Sequence, residues 1–152
     1  MKKFKFKLEA VLRYRKYRER NAQLELVKAK NAVVDKKNLI EKLKQNRLQA
    51  IRDLKEEESK GIEVGRHRFY TNYITGTDEA LEEEQKQLIQ LEKILRKHQE
   101  IVRKEQIKRK TLEKIEEKQQ KEYISEYIKF EQKTMDEMIV IRQKQKPEKE
   151  TS

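Results

Sequence analysis

The feature that most constrains the fold is an apolar row repeated at alternating steps of four and three. It runs from about Leu8 to Glu58, a stretch that contains neither glycine nor proline. Ten of the fourteen positions in the row are apolar. This spacing puts one stripe of side chains on an α-helix and is typical of a coiled-coil seam. The row comprises Leu8, Leu12, Arg15, Glu19, Ala22, Leu26, Ala29, Val33, Lys36, Ile40, Leu43, Arg47, Ala50 and Leu54.

A second seam is predicted in the other half of the chain. Five apolar residues fall seven apart, which is the heptad repeat of a coiled coil. They are Ile74, Leu81, Leu88, Leu95 and Val102. Further apolar positions, among them Ile115, extend the pattern to Ile141, and the only proline, Pro147, follows it. Thr77 before a run of acids is one possible start of this helix, although helical spacing already precedes it.

Two of the three glycines, Gly61 and Gly65, lie between these halves. Glycine ends helices in the left-handed conformation, so we place a chain reversal here. The predicted fold class is all-α, a long antiparallel two-helix coiled-coil hairpin with unequal arms. We expect a single hairpin over residues 1–145: helix 1 at about 8–58, a turn at about 59–67 and helix 2 at about 68–144. Residues 146–152 are expected to form a disordered tail.

Composition agrees with a hairpin rather than a globule. Apolar residues make up 34% and charged residues 44% of the 152-residue chain, whereas a globular domain is nearer half apolar and a quarter charged. Cysteine is absent, which excludes disulfides and thiolate zinc sites. No apolar run reaches the ~18 residues of a membrane span, and the basic start lacks the apolar core of a secretory signal. We therefore expect a cytoplasmic protein.

The unequal arm lengths predict an unpaired end. If Glu58 lies opposite Arg68, helix 2 extends past the start of helix 1 by about 25 residues, or about 40 Å. Exposed apolar surface of this size predicts docking onto a partner, although folding back or pairing with a second copy would also cover it. The apolar residues concerned are Tyr123, Ile124, Tyr127, Phe130, Met135, Met138 and Ile139.

Charge separates the two ends of the predicted hairpin. Residues 1–20 carry nine Lys/Arg and two acids, and residues 96–121 carry ten basic and five acidic side chains. Glu56–Glu58 and the acids of 78–84 make the turn end locally acidic. Single charge runs are also what solvated helix faces carry. Two coincident basic runs favour an acidic partner at the end that holds the termini.

Catalytic and metal-binding sites are not predicted. His67 and His98 are the only histidines, lie 31 residues apart and are expected on the surface. A metal site needs several converging ligands, and a thin hairpin offers no cleft that would shift carboxylate pKa values. We therefore expect a protein that is not an enzyme, with no cofactor, no metal and no small-molecule substrate.

Three non-enzymatic alternatives remain open from the residues alone. Tyr14 and Tyr17 among arginines could stack on bases, which would make this a basic nucleic-acid-binding coiled coil; nucleic acid is nevertheless disfavoured by the 28 interspersed acids. Residues 4–17 also have the composition of an interfacial membrane helix. The last alternative is a structural coiled-coil adaptor that is unrelated to any transport system.

The opening and the turn region resemble the flagellar export protein FliJ family. The opening has Phe4, Phe6, Leu8, Val11 and Leu12 ahead of a basic helix rich in Glu and Gln. The turn region has Gly61–Ile62 followed by an aromatic cluster. That cluster and the residues after it are Phe69, Tyr70, Tyr73, Ile74, Ala80 and Leu81.

This resemblance implies a component of flagellar type III protein export, similar to the central shaft subunit of rotary ATPases. The implied partners are the flagellar export ATPase hexamer, the cytoplasmic domain of the export-gate membrane protein, and export chaperones. The terminal end would sit in the ATPase ring, promoting its assembly and activity. The implied location is cytoplasmic, peripherally associated with the inner face of the cell membrane at the flagellar base.

The resemblance also implies site residues. An export-gate contact early in helix 2 falls on Tyr73, Thr77, Ala80 and Glu84, whose spacing puts them on one helix side. Thr77 and Glu84 depart from the apolar and histidine residues of the family pattern, which puts the exact contact face in question. ATPase-ring binding is expected of the terminal residues Phe4, Phe6, Arg13, Arg15, Arg18, Tyr123, Tyr127 and Phe130.

Overall fold

The computed structural model describes residues 2–145. They form two helices, α1 at Glu9–Lys60 and α2 at Val64–Gln145, preceded by a segment without regular secondary structure over residues 2–6. The helices are 52 and 82 residues long and pack against each other as an antiparallel hairpin with unequal arms. The predicted all-α fold class is confirmed. The tail predicted at residues 146–152 lies outside the described residues.

The reversal occupies only Gly61–Glu63, rather than the nine residues expected at 59–67. Gly61 has φ of 88°, the left-handed conformation that ends a helix at low cost only for glycine. Its N–H donates a hydrogen bond to the Glu58 carbonyl at 3.3 Å, and His67 N–H donates to the Glu63 carbonyl at 3.0 Å. Helix α2 therefore starts at Val64, earlier than the predicted residue 68, because Gly65 is accommodated in its first turn.

Gly76 and Thr77 lie well inside α2. The Thr77 hydroxyl donates to the Tyr73 carbonyl at 2.8 Å, a bond to the preceding turn of the same helix. Thr77 is thus not the helix cap that the following acids suggested. The acids of residues 78–84 lie along the side of α2 instead of at its N-terminus.

The chain divides into two compact units. One, the turn unit, comprises Arg18–Glu105, and the other, the terminal unit, comprises residues 2–17 and 106–145. In the turn unit, residues later in α1 contact residues earlier in α2. Arg18 pairs with Glu105, Lys36 with Glu84, and Glu57 with Arg66. This is the register of an antiparallel pair.

A narrow seam forms the interior, as the heptad spacing predicted. Of the fourteen positions in the α1 row, only Leu8 is exposed. No large side chain of the described residues is fully buried, because two helices alone cannot enclose one. Three of the buried α1 positions are alanines, which lets the helix backbones approach but buries little apolar area. The buried apolar residues of the seam are Leu12, Ala22, Ala29, Val33, Ile40, Ala50, Leu81 and Val102.

The apolar pattern of α2 runs on to Ile141, but its last part is exposed, as the unequal arm lengths predict. Ile115 is 36% exposed, and every residue from Ile124 to Gln145 is exposed. The reason is the start of α1 at Glu9, which leaves no helix to face this part of α2 within the terminal unit. The apolar residues there are surface residues.

Candidate protein-binding surfaces

The N-terminal segment of the terminal unit is held against α2 by aromatic side chains. Phe4 packs on Tyr123 with ring centroids 5.6 Å apart, and the Tyr123 hydroxyl donates a hydrogen bond to the Lys2 carbonyl. Tyr123 in turn stacks on Tyr127, with centroids 6.3 Å apart. Phe6 is buried. The alternating phenylalanines therefore belong to a non-helical segment in which Phe4 packs on α2 and Phe6 is buried.

The C-terminal part of α2 presents an unusual apolar surface. Tyr127, Phe130 and Met138 are 39%, 51% and 55% exposed. At 100° per residue, eight of the nine apolar side chains from Ile124 to Ile141 fall within about half of the helix circumference, and Val140 lies outside this arc. A width of this kind exceeds the narrow stripe that a two-helix seam covers. We call residues 124–141 the exposed apolar segment.

Basic residues are concentrated in the rest of the terminal unit. Residues 2–17 carry seven basic side chains and one acid, and residues 106–121 carry six basic side chains and three acids. Arg13 is exposed and pairs with Glu9 at 3.6 Å. Arg15 is half-buried, with its guanidinium 5.8 Å from the Tyr14 ring centroid. The terminal unit therefore presents a positively charged surface next to the exposed apolar segment.

The residues predicted to bind an ATPase ring do not form one cluster. Phe4, Tyr123 and Tyr127 come together, while Phe6 is buried beside them and Phe130 is exposed further along α2. Arg18 belongs to the turn unit, where it pairs with Glu105 at 3.6 Å. Of the three predicted arginines, Arg13 offers the most accessible charge.

A polar layer in the turn unit combines Glu19, which belongs to the predicted α1 row, with α2 residues whose burial was not predicted from the sequence. Glu105 and Glu19 are buried at seam positions, and Gln23 donates a hydrogen bond to Glu19 at 3.5 Å. His98, expected on the surface, is half-buried and lines a shallow cleft together with Glu105. Its position seven residues before Glu105, on the seam side of the heptad, is the signal that could have placed it there.

The row predicted to contact an export gate partly faces α1. Thr77 is 7% exposed, and Glu84 accepts a hydrogen bond from Lys36 of α1 at 2.5 Å. Tyr73 is 43% exposed, and Ala80 is half-buried. Only part of this row is therefore accessible to a partner without opening the hairpin.

An ion pair next to the turn joins the two helices. Arg66 donates two hydrogen bonds to the Glu57 carboxylate at 2.7 and 2.6 Å, and the Tyr70 hydroxyl donates a third at 3.2 Å. The hydrogen bonds from Arg66 are the main cause of a lowered pKa of Glu57, and they raise the pKa of Arg66. A bidentate pair of this geometry orients the two side chains at the start of α2.

A groove opens beside this turn, between α1 and α2. Its volume is about 290 Å³. Phe69 and Tyr73 stand at its α2 edge with 68% and 43% of their surface exposed. Sequence reasoning missed the groove because its two walls meet only once the register of the helices is known. Its lining residues are Asn46, Gln49, Ala50, Asp53, Phe69, Tyr70 and Tyr73.

No group of three or more His, Cys, Asp or Glu is placed to hold a metal ion within residues 2–145. In the same part of the chain, no helix is long and apolar enough to cross a membrane.

The fold is that of a two-helix coiled-coil protein with exposed apolar and aromatic side chains in both units. The sequence profile of the flagellar FliJ protein family matches residues 4–148, nearly the whole chain. The chain belongs to this family, and membership implies a component of flagellar protein export. A search of the curated proteins and a search of the solved structures each return no significant match.

Proposed function

We propose that the protein is a non-enzymatic component of flagellar type III export that docks in the export ATPase ring and promotes its assembly and activity. The observation that carries the proposal is the terminal unit: an exposed apolar segment continues from a strongly basic helix pair in a chain of this family. A ring of subunits contacts a helix in its central opening from several sides. Apolar side chains over about half of the helix circumference fit such a contact.

The other end of the chain supports the second half of the proposal. The turn unit carries its own exposed aromatic groove, which would bind the cytoplasmic domain of the export-gate membrane protein and couple it to the ATPase. Tyr73 and Ala80 of the predicted row lie on this part of α2, together with Thr77 and Glu84 on the seam side. Export chaperones are further partners that family membership suggests. The protein would act in the cytoplasm, peripherally associated with the membrane at the flagellar base.

The test is the hydrolysis rate of the cognate export ATPase with and without this protein, at near-physiological salt, with ring assembly followed by mass photometry. We expect a higher rate and more hexamers. A Phe130→Ala, Met138→Ala double variant should lose the effect, since both side chains are exposed and their loss leaves the seam intact. Ile89→Ala removes an equally exposed apolar side chain from the turn unit and should keep full stimulation.

Nucleic acid is the competing ligand class, because the net charge is +11. Counterion release makes such binding fall steeply with salt and leaves it indifferent to protein partners. Labelled duplex DNA in the same buffer separates the two proposals. Tight DNA binding with no change in ATPase rate or ring size would overturn the export proposal.

A further inference from the structure

We propose that the outward side of α1 in the turn unit binds an acidic amphipathic helix of another protein, which packs along α1 as the third helix of a coiled coil. This surface is separate from the exposed apolar segment and from the groove beside the turn. The turn unit has three features that fit such a helix: a second heptad row on α1, a nearly uncharged composition of this row, and lysines along its edges.

The first feature is a second row of α1 residues at alternating steps of three and four. Each member lies five positions after a residue of the row that faces α2, and therefore points about 140° away from it around the helix. All eight members are exposed. The row is about 36 Å long, which is enough for a coiled-coil contact. We call it the outer row, and its members are Leu24, Val27, Asn31, Val34, Asn38, Glu41, Gln45 and Leu48.

The second feature is the composition of the outer row. A helix that buries one face normally carries charged residues on the opposite face, and charged residues make up 44% of this chain. Glu41 is nevertheless the only charged member of the outer row, while Leu24 and Val27 are 57% and 52% exposed. Asn31 and Asn38 lie seven apart, and asparagine at such a position sets the register of a coiled coil. The outer row thus has the composition of a seam, although no helix within residues 2–145 covers it.

The third feature is the charge along both edges of the outer row. The e and g positions of a heptad flank the seam and face the charges of the partner helix. With Leu24 at position a and Val27 at position d, these positions carry five lysines and one acid, all of them exposed. They are Lys28, Lys30, Asp35, Lys37, Lys42 and Lys44.

The lysines determine which occupant fits. Only a helix with acids at its own e and g positions and apolar residues at a and d would use both the lysines and the side chains between them. A second copy of α1 would bring its own lysines against these, and like charges across a seam are unfavourable. Nucleic acid would use the lysines through its phosphates, but it would leave Leu24 and Val27 without a partner.

A designed peptide provides the probe. It has about four heptads with Leu at d, Ile and Asn at a, and Glu at every e and g position, so that its own charges prevent it from pairing with itself. We expect the labelled peptide to bind the whole chain in fluorescence anisotropy and to gain helix in circular dichroism. The same peptide with Lys at e and g should bind at least about tenfold more weakly.

Two double variants test the apolar contacts. Leu24→Ala, Val27→Ala should weaken binding of the acidic peptide by about tenfold or more, because both side chains become buried in the contact. Ile89→Ala, Ile94→Ala removes side chains of similar exposure, 51% and 47%, from α2 of the same unit. This control should keep the affinity within about twofold.

Two further double variants test the charges. Lys30→Glu, Lys37→Glu should weaken binding of the acidic peptide by about tenfold and should strengthen binding of the lysine peptide. Lys93→Glu, Lys97→Glu makes the same change of net charge at exposed positions of α2 and should do neither. Equal weakening by both variants would overturn the proposal, since net charge alone would then attract the peptide.

Three other results would also overturn the outer row as a site for an acidic helix. The first is failure of the wild-type chain to bind the acidic peptide. The second is dimerisation of the wild-type chain, in sedimentation velocity, that Leu24→Ala, Val27→Ala abolishes, since the occupant would then be a second copy. The third is binding of labelled duplex DNA that is lost only in Lys30→Glu, Lys37→Glu. Weaker peptide binding in the outer-row variants alone, with the charge exchange restoring it, is the result we expect.

Discussion

Tyr123 is the residue on which the order of the N-terminal segment depends most. It supplies both the ring against Phe4 and the hydroxyl that bonds the Lys2 carbonyl. Tyr123→Phe removes only the hydrogen bond, which contributes about 1 kcal/mol. The segment should then open about fivefold more often, and trypsin should cleave after Lys5 and Lys7 correspondingly faster.

Tyr127→Phe is the matched control for this change. The pKa of Tyr127 is raised by a hydrogen bond to Glu131 on its own helix, so its hydroxyl plays no part in holding the segment. Cleavage after Lys5 and Lys7 should proceed at the wild-type rate in Tyr127→Phe. No acceleration in Tyr123→Phe would mean that the segment is held by the rings alone.

Glu57 should make the stability of the folded hairpin depend on pH in a defined direction. The hydrogen bonds from Arg66 lower its pKa below the ordinary value of 4.5. A carboxylate whose pKa is lowered by folding stabilises the folded state above its ordinary pKa, and this contribution disappears as pH falls through the lowered value. Wild type should therefore melt above Glu57→Gln at about pH 7, and the two Tm values should converge in acid below pH 4.5.

Because Glu57 is only half-buried and its partner Arg66 is exposed, salt should also narrow this difference in Tm. Glu79→Gln removes an exposed carboxylate of α2 away from the turn and serves as the control. A Tm difference between wild type and Glu57→Gln that persists unchanged in acid would show that the substitution acts through packing and not through the ion pair.

At the scale of the elements, the short turn depends on one backbone conformation. Gly61→Ala places a side chain at φ of 88°, which costs about 1–2 kcal/mol for an L-residue. A Cβ at Gly61 would touch nothing within 4 Å, so the whole effect is conformational. Urea denaturation should show a lower midpoint for Gly61→Ala and a higher one for Gly76→Ala, because glycine inside a helix is less stable than alanine. A neutral Gly61→Ala would mean that the turn relaxes to a longer connection.

The pairing of the helices includes a charged contact inside the seam. Lys36 donates hydrogen bonds to Glu84 at 2.5 Å and to Gln87 at 2.8 Å, and both ions of the pair are about four-fifths buried. Glu84→Gln leaves the lysine buried without its counter-charge and should cost about 1–2 kcal/mol. Replacing the pair by Lys36→Met and Glu84→Leu should recover this loss, because apolar side chains suit the seam.

The exposed pair of Lys86 and Glu82, at 3.7 Å on one helix, provides the comparison. Glu82→Gln should change the free energy of unfolding by less than about 0.5 kcal/mol, since water screens both charges. A double-mutant cycle on each pair measures the two coupling energies. Equal coupling energies would contradict the distinction between the seam and the surface.

The heptad repeat predicts both helices and their seam. It predicts neither the length of the turn nor the groove. The row from Leu12 to Leu54 was predictable because a period of 3.5 fixes one helix face whatever the partner is. The turn was predicted too long because Gly65 also signals a helix end, yet its first-turn position tolerates glycine. The groove depends on which α1 residue faces Phe69, and a shift of the turn by a few residues would change that pairing.

Burial of single polar residues was the other part that sequence could not supply. Glu105 and Thr77 occupy seam positions by spacing and are buried, whereas carboxylates and hydroxyls are mostly found at the surface. Both side chains lie in the seam because apolar seam residues flank each of them along α2, and a helix cannot rotate at a single position. Thr77 and Glu84 consequently face α1, where the family resemblance implied a partner.

For the molecule as a whole, the two surfaces of the proposed function belong to different compact units. Phe130→Ala, Met138→Ala should therefore abolish ATPase stimulation and keep gate-domain binding, whereas Phe69→Ala should do the reverse. Hydrolysis assays and calorimetry on the same preparations check both. Flagellated cells complemented with either variant should lose motility, since coupling requires both contacts. Loss of both binding activities in either variant would contradict separate surfaces.

The three-residue connection also determines the order in which the chain can fold. Contacts next to Gly61–Glu63 close loops of a few residues, as between Glu57 and Arg66, while Phe4 and Tyr123 enclose more than a hundred residues. Loop-closure entropy grows with that separation, so pairing should nucleate at the turn and propagate outwards. During synthesis the apolar seam residues of α1 stay uncovered until α2 has emerged from the ribosome. Docking of Phe4 on Tyr123 is then among the last steps of folding, and an intact N-terminal segment reports a chain that has paired along its length.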